Sequence, residues 1–216
     1  MKKICLIILI IIILIFCFNK EEYVTVSSDI LKEDNVVERL IKQYGNEDIV
    51  AVLEIPSVLS VIVLQSSDND YYLKHNVYKN FDKNGEVFLD YRVNINDYNK
   101  LIIYGHNNLN SVLPFRALTY YDYEFYKKHS LIYLYTLSGK RTFEIFSSYV
   151  ERDDFDYVNL ENFDGSYLKH IQKLKDKSLF KTDVSLDESS KILILQTCNY
   201  TGRKTDGFRL VLAKEV

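Results

Sequence analysis

Eight short apolar runs, rich in β-branched residues and separated by polar stretches, are spread along the chain beyond residue 48. They cover residues 49–55, 58–64, 86–89, 101–104, 131–137, 142–150, 192–197 and 208–213. Runs of this length with few helical intervals predict a mainly β domain, a barrel or a sandwich. Pro56 stops the first run, and Ser138-Gly139 between the fifth and sixth predicts a hairpin over 131–150. Helical spacing appears in three places. Ile30, Val37, Leu40, Ile41 and Tyr44 share a face over about 29–44, with Gly45 placed to end the helix. A short helix is expected over 120–128. Another is expected over 166–175, where Tyr167, Leu168, Ile171 and Leu174 share a face. This last helix lies inside a long connection, 152–190, of a length that often carries function.

The 216 residues are enough for one domain. A net charge of −3 with interspersed acids and bases gives no electrostatic footprint for nucleic acid. Seven Gly and two Pro leave no room for a flexible linker. No Cys pair and no His-x-x-x-His spacing points to a metal, and no Gly-rich loop points to a phosphate. The chain is therefore expected to use neither metal nor cofactor.

The N-terminus is of a different character. Met1-Lys2-Lys3 precedes an uninterrupted apolar run from residue 4 to 18. As a helix it would span roughly 22 Å, against about 30 Å of bilayer hydrocarbon. A cleaved signal peptide lacks its small-x-small site. Lipoprotein processing at Cys17 meets bulky Ile15 and Phe16. The favoured reading is an uncleaved signal anchor over residues 1–22, a linking helix over 23–45 and a catalytic domain over 46–216. Lys2 and Lys3 would stay inside, which makes the chain a single-pass cell-membrane protein with its body on the extracellular face. Cys5 and Cys17 read as small hydrophobes within the run.

Cys198 is the only cysteine beyond residue 18, and it ends the run Ile192-Leu193-Ile194-Leu195-Gln196-Thr197-Cys198. A lone thiol in an exported domain is either a liability or a nucleophile. A thiolate nucleophile needs a base and an electrophile stabiliser. Among four histidines, His106 follows Leu101-Ile102-Ile103-Tyr104-Gly105, at the end of a predicted buried strand, where a rigid scaffold presents a side chain. Gly105 is expected to permit an unusual backbone angle before it. His129 and His170 read as exposed, and His75 gives no separate signal. Arg209 opens the final apolar run, where its fixed fork could bind a carbonyl oxygen and an oxyanion. Arg203, in the loop 199–207, is a rival for that role, and a plain surface charge is the alternative for either.

Together these residues resemble the sortases, class B most closely. Thr197-Cys198 resembles the family's Thr-Leu-x-Thr-Cys signature, with Ile194 where the first Thr stands. Tyr104-Gly105-His106-Asn107 resembles the Gly-His segment, and Arg209 followed by Leu-Val-Leu-Ala-Lys resembles the arginine strand. Ile55-Pro56, Val63-Leu64-Gln65 and Asp68-Asn69-Asp70-Tyr71-Tyr72-Leu73 resemble the early strands and following loop. The helix at 166–175 before the cysteine strand points to class B. The resemblance covers roughly residues 45–216. It implies a closed eight-stranded β-barrel with an N-terminal helix and a helix inserted before the cysteine strand.

It also implies a cysteine transpeptidase. Cys198 would be the nucleophile, His106 the proton carrier and Arg209 the residue that holds substrate and oxyanion. The implied partners are secreted proteins with a C-terminal sorting signal of the Asn-Pro-x-Thr-Asn or x-Pro-x-Thr-Gly type, and an amine of a peptidoglycan precursor or cross-bridge. Two further readings remain at this point: a pilin-polymerising sortase using a protein lysine, and a membrane-anchored binding domain with an inert Cys198. A papain-like peptidase would place its Cys before its His, the reverse of this order.

Overall fold

The computed structural model describes residues 24–108, 113–161 and 163–216. The strands are β1 (Ile49–Ile55), β2 (Leu59–Leu64), β3 (Phe88–Leu89), β4 (Lys100–Tyr104), β5 (Leu131–Thr136), β6 (Gly139–Glu151), β7 (Ile192–Thr201) and β8 (Lys204–Glu215). The helices are α1 (Val36–Tyr44), α2 (Tyr123–Lys128) and α3 (Tyr167–Asp176). The strands close into a barrel in the order β1-β2-β3-β4-β7-β8-β6-β5, with β5 returning to β1. This is the mainly β, closed eight-stranded architecture expected from the sequence, with α1 before it and α3 before β7.

The apolar runs are continuous because both faces of the wall are covered. Ala51, Leu53, Val63, Leu101, Ile103, Leu193, Leu195, Val211 and Ala213 fill the barrel interior. Their alternates face outward and are also buried. Val52, Ile62 and Leu64 lie under Val36, Val37 and Leu40 of α1. Ile102, Ile192, Ile194, Leu210 and Leu212 lie under Ile171 and Leu174 of α3. Gly45 ends α1 at φ +60°, a left-handed cap that glycine adopts without a Cβ penalty. Ser166 caps α3, its side chain accepting from the Lys169 N–H.

Several expectations change. The expected membrane-spanning placement is corrected: no helix among the described residues is long and apolar enough to cross a bilayer. The anchor proposed over 1–22, with Cys5 and Cys17, lies outside the described residues. The N-terminal helical stretch breaks into a 3-10 turn, Ile30–Lys32, and α1. The final strand begins at Lys204, so Arg209 stands within β8 rather than at its start.

His170, expected on the surface, is 3 % exposed. It lies on the inner face of α3, where Lys100 Nζ approaches its Nε2 at 3.1 Å and Phe163 stacks on the ring. Burial pushes the His170 pKa down to about 4, and burial likewise pushes Lys100 down to about 7. A base whose folded pKa is depressed destabilises the fold as pH falls from its unfolded value to its folded one. His170 therefore costs stability between about pH 6.5 and 4. We expect the His170→Gln variant to lose roughly 2 kcal/mol less than the parent over that window. Urea unfolding of both proteins at pH 7 and 4.5 measures the difference; parallel losses would refute it.

Candidate active site

Parallel pairing of β4 with β7 places Tyr104 opposite Gln196. Beyond that pair β4 ends while β7 runs on against β8 to Thr201, so His106 and Cys198 stand at matching steps past the pair, with Cys198 inside β7 rather than at its end. Three hydrogen bonds stitch the ends together. The Gly105 N–H donates to Gln196 O at 3.1 Å. Thr197 Oγ1 donates to Gly105 O at 2.7 Å, and Asn107 Nδ2 donates to Cys198 O at 3.0 Å. Each fixes the backbone beside a candidate reactive side chain.

Cys198 and His106 both line a cavity of about 470 Å³. Leu73, Phe88, Tyr104, Phe155, Tyr157, Val158 and Phe208 make its walls largely apolar and aromatic. Cys198 is a half-buried free thiol. Burial pushes its pKa up, so the thiol form dominates at neutral pH until a base removes the proton. The Nε2 of His106 lies 3.0 Å from Leu73 O. A ring nitrogen facing a carbonyl must carry a proton, so in the neutral ring Nδ1 is the free acceptor. The Leu73 carbonyl is itself closely backed. A Cβ on Gly85 would fall 2.7 Å from it and 2.3 Å from Tyr72 O, and Gly85 sits at φ +58°.

Gly105 departs from expectation. Its φ is not positive; what it provides is space. A Cβ there would lie 2.6 Å from the Phe115 ring, which is fully buried in the barrel core. We expect Gly105→Ala to cost about 1–3 kcal/mol by overpacking. It should also displace the His106 backbone and lower kcat by roughly 10- to 100-fold. Thermal unfolding together with steady-state kinetics checks both, and full activity at parental stability would contradict the packing argument.

Arg209 pairs across the ladder with Thr197, and Phe208 pairs with Cys198. Alternation along β8 therefore puts Phe208 on the face of the thiol and Arg209 on the opposite one. Arg209 lines a neighbouring cavity with Thr119, Tyr121, Phe125 and Leu179. Its Nε and Nη1 are buried with no hydrogen-bond partner among the described residues. Burial first, and the charge of Arg152 second, push the guanidinium pKa down. Arg203 is exposed near the β7–β8 turn. The structure thus brings Cys198 and His106 into one cavity and holds Arg209 behind it. His75 stacks on Tyr71, and His129 Nδ1 meets Pro56 O at 3.2 Å.

Two supporting groups carried no signal in the sequence. Asp90 is fully buried beside the cavity wall, taking a bidentate pair from Arg92 and the Tyr104 hydroxyl at 2.8 Å. Burial alone would raise its carboxyl, but the bonds from Arg92 and Tyr104 hold it below the usual range. Arg92 also donates to Val158 O, tying down the turn that forms one wall. The second group is Tyr157, whose hydroxyl donates to Gln196 Oε1 at 2.7 Å. The Arg92–Val158 and Tyr157–Gln196 bonds couple residues 66 and 39 apart in sequence, so no local pattern announces them.

Comparison with known proteins gives a consistent picture. No protein-family model matches the chain. It is similar to sortase B of Listeria monocytogenes, 32% identical over 158 residues, 71% of this chain. That match spans 64% of the Listeria protein, under two thirds of its length. It is similar to the crystal structure of Clostridium perfringens sortase B at TM-score 0.74 and 32% identity, covering 83% of this chain and 99% of that one. It is also similar to a Staphylococcus aureus sortase B–substrate complex at TM-score 0.76 and 27% identity, covering 88% of each chain.

Proposed function

The chain belongs to the sortase B family, and from that premise we propose that it is a cysteine transpeptidase acting on the sorting signals of surface proteins. The observation that carries this reading is the meeting of Cys198 and His106 in one apolar cavity, two steps past the last β4–β7 pair. The Cys198 thiolate attacks the carbonyl carbon of the threonine of a sorting signal, and the amine of the next residue is the leaving group. The tetrahedral adduct collapses to a thioacyl enzyme as His106 protonates the departing amine. A second amine then enters, gives a proton to His106 and attacks the thioester. The apolar walls limit water in the cavity, which favours aminolysis over hydrolysis.

The substrates we assign are secreted proteins bearing signals of the Asn-Pro-x-Thr-Asn or x-Pro-x-Thr-Gly type. The acceptor is an amine of a peptidoglycan precursor or cross-bridge. That a Staphylococcus aureus sortase B has been captured in a substrate complex supports a substrate-binding role for this chain.

Arg209 is the cation we assign to the substrate backbone and the developing oxyanion. It pairs with the neighbour of the nucleophile, and two of its guanidinium nitrogens have no partner among the described residues. To serve, its side chain turns out of the neighbouring cavity towards the thiol. Arg209→Ala is expected to lower kcat/KM by about 10²- to 10³-fold, the scale for loss of one oxyanion donor. Arg203→Ala should stay within about twofold, as an exposed charge does. Cleavage of quenched sorting-signal peptides by both variants decides between them, and loss only in Arg203→Ala would reverse the assignment.

A further inference from the structure

Most polar groups on the cavity wall are already spent on the protein. Tyr104 donates to Asp90, Thr197 donates to Gly105 O, and His106 bonds Leu73 O. Gln196 is different. Its Oε1 is occupied by the Tyr157 hydroxyl, which fixes the amide plane and leaves the Nε2 hydrogens without a protein acceptor among the described residues. Asn69, the other side-chain amide on the wall, is held by its oxygen in the same way, through the Tyr91 N–H. The lining therefore offers amide donors whose acceptor oxygens have been taken up.

Position gives the donor of Gln196 a target. Gln196 and Cys198 share one face of β7, and both line the cavity. Alternate residues of a strand are roughly 6.6 Å apart. The carbonyls of an extended peptide repeat at the same interval, every second one pointing the same way. For a peptide lying parallel to β7, when the scissile carbonyl faces Cys198 the carbonyl two residues before it faces Gln196. Only that acyl half stays bound after the first amine departs, so a donor on the nucleophile's own strand holds the thioacyl intermediate in register.

Resting on the transpeptidase reading, we infer that Gln196 is a substrate-binding residue that donates to the peptide carbonyl two residues before the scissile one and holds the peptide in register, with Tyr157 as its positioning residue. Gln196→Glu keeps the acceptor for Tyr157 but removes the donor and sets a carboxylate against the substrate carbonyl. Gln196→Leu removes both functions. Tyr157→Phe frees the amide to turn.

The test is steady-state cleavage of an Asn-Pro-x-Thr-Asn peptide, and of a peptide truncated so that the residue two before the scissile one is missing. Alkylation of Cys198 by iodoacetamide is followed in parallel. Gln196→Glu should lower kcat/KM for the full peptide by 10- to 100-fold, mainly through KM. Gln196→Leu and Tyr157→Phe should each lower it by about 3- to 10-fold, the scale for one hydrogen bond to a carbonyl. The truncated peptide should be cleaved alike by parent and variants, and alkylation should stay within twofold. If the parent cleaves the full peptide and all three variants match it, this inference is overturned while the transpeptidase reading stands. If the parent cleaves no peptide although Cys198 alkylates, the transpeptidase reading fails and this inference with it.

Discussion

Replacing Cys198 by alanine is expected to remove cleavage and transfer together, lowering kcat by at least about four orders of magnitude. The fold should survive. The thiol is half-buried and makes no disulfide, while the strand around it is held by backbone pairing to β4 and β8 and by Thr197 and Asn107. Loss of one small sulfur from a cavity wall costs little packing. An inactive variant with a parental unfolding curve separates a chemical role from a structural one. Substantial cleavage remaining in Cys198→Ala would mean that another group attacks the peptide.

His106→Gln is the second large effect. Glutamine keeps an N–H donor for Leu73 O, so the Leu73 contact can persist while the titratable nitrogen disappears. Loss of general acid–base catalysis is expected to lower kcat by about 10²- to 10⁴-fold. The raised pKa of Cys198 gives the variant a signature. Without His106 to take the proton, the remaining activity depends on spontaneous ionisation and should keep climbing as pH rises above neutrality. A kcat/KM profile over pH 6 to 10 for parent and variant measures this. A variant profile that keeps the parent's shape at reduced height would point to a positioning role instead.

The sequence shows the barrel clearly because its strands are buried on both faces. Such strands read as continuous apolar runs of β-branched residues; four of the eight predicted runs match their strands to within a residue at each end, while β6, β7 and β8 extend beyond theirs into polar sequence. Phe88–Leu89 is shorter than its run, a two-residue bridge between β2 and β4 that offers little to a periodicity argument. Cys198 and His106 stood out because each closes or follows an apolar run; β4 does end just before His106, whereas β7 continues three residues past Cys198.

What the sequence hid follows from long-range packing. His170 looked exposed because it lies off the main apolar stripe of α3, yet Lys100 and Phe163 meet it there. Gly105 looked like a conformational hinge, whereas a ring from the 3-10 segment Pro114–Tyr120 sets its size limit. Arg209 could be placed beside the cysteine strand, but the face it occupies depends on the β7–β8 register, and that register follows from a turn whose length no local pattern fixes. The bonds from Tyr157 to Gln196 and from Arg92 to Val158 join chain segments with no common signature.

The most direct measurement is intact-protein mass spectrometry of the described domain mixed with a sorting-signal peptide and then with a small amine. The account predicts a covalent adduct of the acyl half on Cys198, absent from Cys198→Ala, which disappears on adding the amine as an amide of that half and the amine accumulates. Cleavage with no adduct on Cys198, or an adduct that the amine never discharges into a ligated product, would contradict it.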